Sequence, residues 1–78
     1  MRSTLKMPKV GDAADSAVVI EICVAPGDRV AAGDTLYTVE TDKTTVDVPA
    51  PAAGTVREVL MRVGDELPTG APTLVLEV

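Results

Sequence analysis

The stretch Val39-Glu40-Thr41-Asp42-Lys43-Thr44-Thr45-Val46-Asp47-Val48-Pro49 decides the fold. Strand-forming residues lie on both sides of a short polar corner. Tyr37, Val39 and Thr41 alternate with Thr38 and Glu40, so one side of this segment points inward and the other outward. Asp42 and Lys43 suit the central positions of a tight turn, where an Asp carboxylate can bond a backbone N–H just ahead. The pattern predicts a β-hairpin with Lys43 at its tip, projecting into water.

The same stretch joins two halves that resemble each other. Gly27-Asp28 corresponds to Gly64-Asp65, an offset of 37 positions. At that offset Glu21 meets Glu58, Ile22 meets Val59, Val30 meets Leu67, Gly33 meets Gly70, Val39 meets Leu76 and Glu40 meets Glu77. Each half reads as strand, Gly-Asp turn, short strand, Gly turn, strand. Two copies of a unit that cannot bury its apolar side alone will bury it against each other. The partner of the Lys43 corner at this offset falls beyond residue 78. The two chain ends are therefore expected at the opposite end of the domain from Lys43.

Strands are expected over residues 3–7, 17–24, 29–30, 35–40, 44–48, 55–62, 66–67 and 73–78. Pro26-Gly27-Asp28 and Ala32-Gly33-Asp34 are turns, with Gly supplying the positive φ that such corners need. Gly64 and Gly70 repeat that role. Gly54, opposite Ala17 in the repeat, is expected to give the backbone freedom. Cys23, inside a strand, is expected to pack in the core with Tyr37 and Met61. No segment sustains a helical period. Eight short strands with regularly spaced turns point to a sandwich or flattened barrel.

With 78 residues there is room for one domain, 1–78. One cysteine and no histidine exclude an internal disulfide and argue against a structural zinc site. Twelve acidic and seven basic residues give a formal charge of −5. That is the wrong sign for a phosphate-backbone groove, and one tyrosine offers little for base stacking. An OB-type nucleic-acid module is thus disfavoured; partners with basic surfaces are favoured. The first six residues lack the apolar run of a signal peptide, and no stretch approaches the ~18 apolar residues of a membrane span. A cytoplasmic location without membrane contact is expected. No Ser-His-Asp or Cys-His set, metal cluster or phosphate-binding glycine loop is present, so a stand-alone enzyme is disfavoured and no catalytic residue is assigned.

A lysine at a solvent-exposed corner is a weak base or nucleophile, because a reference pKa of about 10.4 keeps such an amine protonated near neutral pH. It is well placed for another enzyme to acylate. Glu40-Thr41-Asp42-Lys43, followed by Val46-Asp47-Val48-Pro49-Ala50-Pro51-Ala52-Ala53-Gly54-Thr55-Val56, closely resembles the lipoyl domains of the acyltransferase components of 2-oxo acid dehydrogenase complexes. The opening Met7-Pro8-Lys9-Val10-Gly11 is similar to that family's first strand and loop. The resemblance covers nearly the whole chain, repeated halves included. It implies an all-β fold, a flattened barrel or sandwich of two four-stranded antiparallel sheets with internal two-fold pseudo-symmetry.

The resemblance also implies a non-catalytic carrier, with lipoic acid in amide linkage on Lys43. A lipoate ligase or an octanoyl/lipoyl transferase would attach it, reading Glu40, Thr41, Asp42 and Thr44 around the lysine. The arm would serve a thiamine-dependent decarboxylase, the acyltransferase core and a dihydrolipoyl dehydrogenase. The polar loop Gly11-Asp12-Ala13-Ala14-Asp15-Ser16 would lie beside the hairpin, with Gly11, Asp12 and Asp15 facing the decarboxylase; its sequence departs from the family's glutamate- and glycine-rich form. Thr44 departs as well, since a small apolar residue commonly follows the lysine. Two alternatives share the fold. A biotinyl domain of a biotin-dependent carboxylase would flank the lysine with methionines, where this chain has Asp42 and Thr44. An unmodified interaction domain would leave Lys43 bare.

Overall fold

The computed structural model describes residues 1–9, 16–41 and 44–78. Among them lie eight strands: β1 Arg2–Lys6, β2 Ser16–Ile22, β3 Arg29–Val30, β4 Thr35–Thr41, β5 Thr44–Pro49, β6 Gly54–Val59, β7 Glu66–Pro68 and β8 Pro72–Glu77. They form two four-stranded antiparallel sheets, in the orders β1-β8-β6-β3 and β5-β4-β2-β7. Each sheet takes two strands from the first half and two from the second. The core between them is aliphatic, with Tyr37 as its one aromatic: Val19, Leu36, Val39, Val56, Leu74 and Leu76 are sealed from water beside it, with Met7 and Met61 nearly so. Each such side chain contributes about 1.5–3 kcal/mol on burial.

The hydrogen bonds repeat as the sequence does. Gly27 N donates to Val56 O (2.7 Å), and Gly64 N donates to Val19 O (2.7 Å). Val56 N donates to Asp28 O (2.8 Å), and Val19 N donates to Asp65 O (2.8 Å). Each Gly-Asp turn is thus bonded to a strand of the other half. Asp28 and Asp65 close their own turns by accepting from Ala25 N and Arg62 N, both at 2.9 Å. The φ values of Gly27 (98°) and Gly64 (97°) lie in the left-handed region that other residues avoid.

The repeat offset changes at the first strand. Gly70 N donates to Met7 O and Gly33 N donates to Ala50 O, each at 2.9 Å, so Met7 matches Ala50 at an offset of 43. From Ala17 onward the offset is 37. The first half therefore holds six extra residues, 10–15, which lie outside the described residues and include the predicted loop positions Gly11, Asp12 and Asp15.

Several expectations are corrected. The second and sixth strands end at Ile22 and Val59, not at residues 24 and 62. Cys23 N and Leu60 N still bond Leu36 O and Thr73 O, after which the chain turns inward to bury Met61. The first strand spans Arg2–Lys6, because Met7 leaves the ladder to fill the core. Cys23 is exposed and not a core residue, because it lies where the strand gives way to the turn. Gly54 does not adopt positive φ. Its requirement is close approach: an added Cβ would overlap the Glu77 carbonyl oxygen and stand 3.2 Å from Leu76 Cγ. Gly54→Ala should cost roughly 1–3 kcal/mol by overpacking, read as a lowered urea midpoint; an unchanged midpoint would contradict this contact.

At the end of the molecule that holds the chain termini, Glu77 receives a hydrogen bond from Arg57, with Arg2 Nε 3.8 Å away. The Arg57 hydrogen bond holds the Glu77 carboxyl below the usual carboxylate range; partial burial opposes it, and the charges of Arg57, Arg2 and the N-terminus add to it. A carboxyl lowered in the folded state stabilises the fold above its unfolded pKa, near 4.3, and that stabilisation is lost as pH falls through the folded value. Glu77→Gln should therefore lower Tm at neutral pH, and its difference from the parent should vanish in strong acid. A constant difference across pH would contradict the linkage.

Candidate functional site

The hairpin strands β4 and β5 pair through Thr35↔Pro49, Tyr37↔Val48, Thr38↔Asp47, Val39↔Val46, Glu40↔Thr45 and Thr41↔Thr44. Pairing continues to the last residues on either side of the corner. What joins them is two residues, Asp42 and Lys43, both outside the described residues. The predicted alternation holds up to that point. Tyr37, Val39 and Thr41 are buried, Thr41 at 8% exposure, while Glu40, Thr44 and Thr45 are exposed. The inward Thr41 anchors the base of the hairpin to the core. On the outer side Thr38 Oγ1 donates to Asp47 Oδ1 at 2.8 Å, tying the two strands together.

The dyad relation sets the corner against the chain ends. At offsets of 37 and 43, Thr41 matches Val78 and Thr44 matches Met1. Met1 N donates to Val78 O (3.0 Å) and Val78 N donates to Met1 O (2.9 Å). The termini thus meet where the second half would otherwise carry its own hairpin. Strand pairing also separates the two places. β4 runs back from Thr41 to Thr35, and Asp34 O accepts from Ala50 N at 2.7 Å. Val30 pairs with Gly54; beside it Thr55 pairs with Glu77, which pairs with Arg2. The dyad thus relates the Thr41–Thr44 end of the hairpin to the separate end where Met1 and Val78 meet.

Three other features bear on where chemistry could reside. Cys23 donates to Glu21 Oε1 at 3.4 Å. Desolvation pushes its thiol pKa up, reinforced by the Glu21 hydrogen bond and the charges of Glu21 and Asp47. That favours the unreactive thiol over the thiolate. Tyr37 is also raised, by burial, partly offset by Thr73. A shallow groove of about 240 Å³ lies on the dyad between the open edges of β1 and β5, lined by Leu5 and Val48, Lys6 and Pro49, and Pro8 and Pro51, with Leu36 and Tyr37 as its floor. Among the described residues no group of three or more His, Cys, Asp or Glu could hold a metal ion, and no helix is long and apolar enough to cross a membrane.

Comparison with known proteins matches this architecture. The Biotin_lipoyl family model, described as "Biotin-requiring enzyme", matches residues 3–76. The dihydrolipoyllysine-residue acetyltransferase component of the pyruvate dehydrogenase complex from Haemophilus influenzae is 42% identical over 77 residues, 99% of this chain and 13% of that protein. Its counterpart from Cupriavidus necator is 47% identical over 73 residues, 94% of this chain and 13% of that protein. The chain therefore spans about an eighth of the length of these relatives. Among solved structures, the lipoyl domain of the 2-oxoglutarate dehydrogenase complex from Azotobacter vinelandii is 25% identical with a TM-score of 0.78, covering 96% of this chain and 95% of that one. The Kluyveromyces lactis urea carboxylase is 26% identical with a TM-score of 0.82, over 99% of this chain and 6% of that one. With its two interlocked sheets, its two-residue corner and a family match over nearly its full length, this chain belongs to the Biotin_lipoyl family, as one of its lipoyl-type domains.

Proposed function

We propose that the chain is the lipoyl carrier domain of a 2-oxo acid dehydrogenase acyltransferase, with lipoic acid in amide linkage on Lys43 Nζ. The observation that carries this reading is the Thr41↔Thr44 pairing, which leaves Asp42 and Lys43 as the entire connection between two strands paired up to the corner. The flanking Glu40, Thr44 and Thr45 are exposed, so the rim of the corner is open to a modifying enzyme. A group that must visit several active sites is better served by an open rim than by a cradle. Bound there, lipoate supplies a dithiolane that accepts an acyl group with two electrons and gives both up again.

The chain's own residues would position and present. The core and the buried Thr41 hold the hairpin base, while the Thr38–Asp47 hydrogen bond stiffens its outer side. The chain ends meet each other at the dyad-related end and not at the hairpin, so a tether there would not obstruct the lysine. Acylation of Nζ removes the lysine charge, leaving the acidic Glu40 and Asp42 as the charged residues just before it in the sequence. The domain contributes no catalytic group. Its gain is effective concentration, in the millimolar range for a short flexible tether.

The partners implied are a lipoate ligase or an octanoyl/lipoyl transferase for attachment, then a thiamine-dependent decarboxylase, the acyltransferase core and a dihydrolipoyl dehydrogenase. The likeness of the acetyltransferase relatives supports pyruvate dehydrogenase as the complex. Asp42 and Thr44 in place of methionines favour lipoate over biotin. Incubation with lipoate ligase, lipoate and ATP should add one lipoyl group to the intact mass, and Lys43→Ala should abolish the addition. An unchanged mass, or a biotin ligase modifying the chain where lipoate ligase does not, would refute the assignment.

A further inference from the structure

The two sheets differ in the sign of their side chains. β2, β4, β5 and β7 carry Glu21, Glu40, Asp47 and Glu66 with no lysine or arginine. β1, β3, β6 and β8 carry four cations, Arg2, Lys6, Arg29 and Arg57, against the two carboxylates Glu58 and Glu77. The register puts all four carboxylates of the first group on its outer side. Glu66, Val18, Glu40 and Thr45 stand in one row across β7, β2, β4 and β5. Glu21, Thr38 and Asp47 stand in the next. Directly opposed residues share a side of the sheet, and the intervening Val19 and Val39 are buried on the other.

The centre of this face is apolar. Val18 is half-buried, and Ile20, at the bulge in β2, is 41% exposed. The turn at 62–65, bonded to Val19, brings Val63, 62% exposed, to the border together with Arg62. The fold does not require this composition. At the repeat offset Ile20 corresponds to Arg57, which in the other sheet ties down Glu77, the counterpart of Glu40. Val63 corresponds to Pro26. Where one half carries an arginine, the other carries an exposed isoleucine.

We propose that the outer face of β5-β4-β2-β7 docks a protein surface of complementary make-up, lysines and arginines around an apolar side chain. The β4–β5 hairpin borders this face at Glu40 and Thr45, so docking there sets that end of the hairpin beside the partner. An apolar centre that sheds water inside a charged rim is the anatomy of a transient interface, and the rim steers encounter. The same carboxylates repel nucleic acid and anionic membranes. The inference deepens the carrier reading and rests on it for the partner's identity, the thiamine-dependent decarboxylase.

The test measures binding of the Lys43→Ala chain to the decarboxylase purified from the source organism, so that no attached group takes part. Ile20→Arg and Glu66→Lys, each checked for an unchanged melting curve, should weaken binding about tenfold. Affinity should also fall as salt rises. Glu58→Lys, the same charge change on the opposite sheet, should leave binding unchanged. Equal loss from Glu58→Lys, no loss from the other two, salt-independent binding or no binding at all would overturn the proposal. Intact mass of the parent chain after lipoate ligase treatment is read in parallel. A chain that binds by this face but is not lipoylated defeats the carrier reading alone; a lipoylated chain indifferent to these substitutions defeats the docking face alone.

Discussion

The fold depends on a reciprocal clasp. Each half sends its Gly-Asp turn across to the other half and bonds it to a strand there: Gly27 and Asp28 to Val56, Gly64 and Asp65 to Val19. Four bonds of 2.7–2.8 Å therefore close both ends of the core at once. Neither half has a partner for these turns or a cover for its apolar side without the other. A chain of 78 residues with one aromatic side chain has little apolar surface to spare. The interlock lets it seal the two sheets with aliphatic residues and short turns, without a disulfide or, among the described residues, a metal cluster.

A fold built from two equivalent halves has two equivalent ends, and the chain uses them differently. One holds the β4–β5 corner. The other holds Met1 and Val78, hydrogen-bonded as Thr41 and Thr44 are paired. The symmetry of the sequence is also incomplete. Six extra residues enter the first half between Lys9 and Ser16, and Ile20 replaces the arginine found at its counterpart. The shared positions, such as Val19 with Val56 and Leu36 with Thr73, are core positions set by packing. Ile20, which is not shared, is exposed on the outer face of its sheet.

Much of this was legible in the sequence because alternation and glycine placement carry direct steric meaning. Tyr37, Val39 and Thr41 face inward as their spacing requires, and Gly27, Gly33, Gly64 and Gly70 adopt the positive φ their turns demand. Strand ends were less legible. Cys23 and Leu60 look like strand residues and keep one ladder bond each, yet the next turn pulls the chain out of the sheet. Gly54 reads from the sequence as a source of backbone freedom, but its role is to let β6 and β8 approach; that depends on the Glu77 carbonyl across the ladder, which no local pattern reveals. The polarity of the two sheets was hidden for the same reason. Net charge is a property of the sequence, but which carboxylates share a face is set by register.

The central claim is that a covalent lipoyl group sits on one lysine at the free corner of this clasped fold. Its most direct test is peptide mapping by tandem mass spectrometry of the protein isolated from its native cell. The account predicts a lipoyl adduct on the peptide containing Lys43, with Lys6 and Lys9 unmodified. A biotinyl adduct, a lipoyl group on another residue or a bare Lys43 in actively growing cells would contradict it.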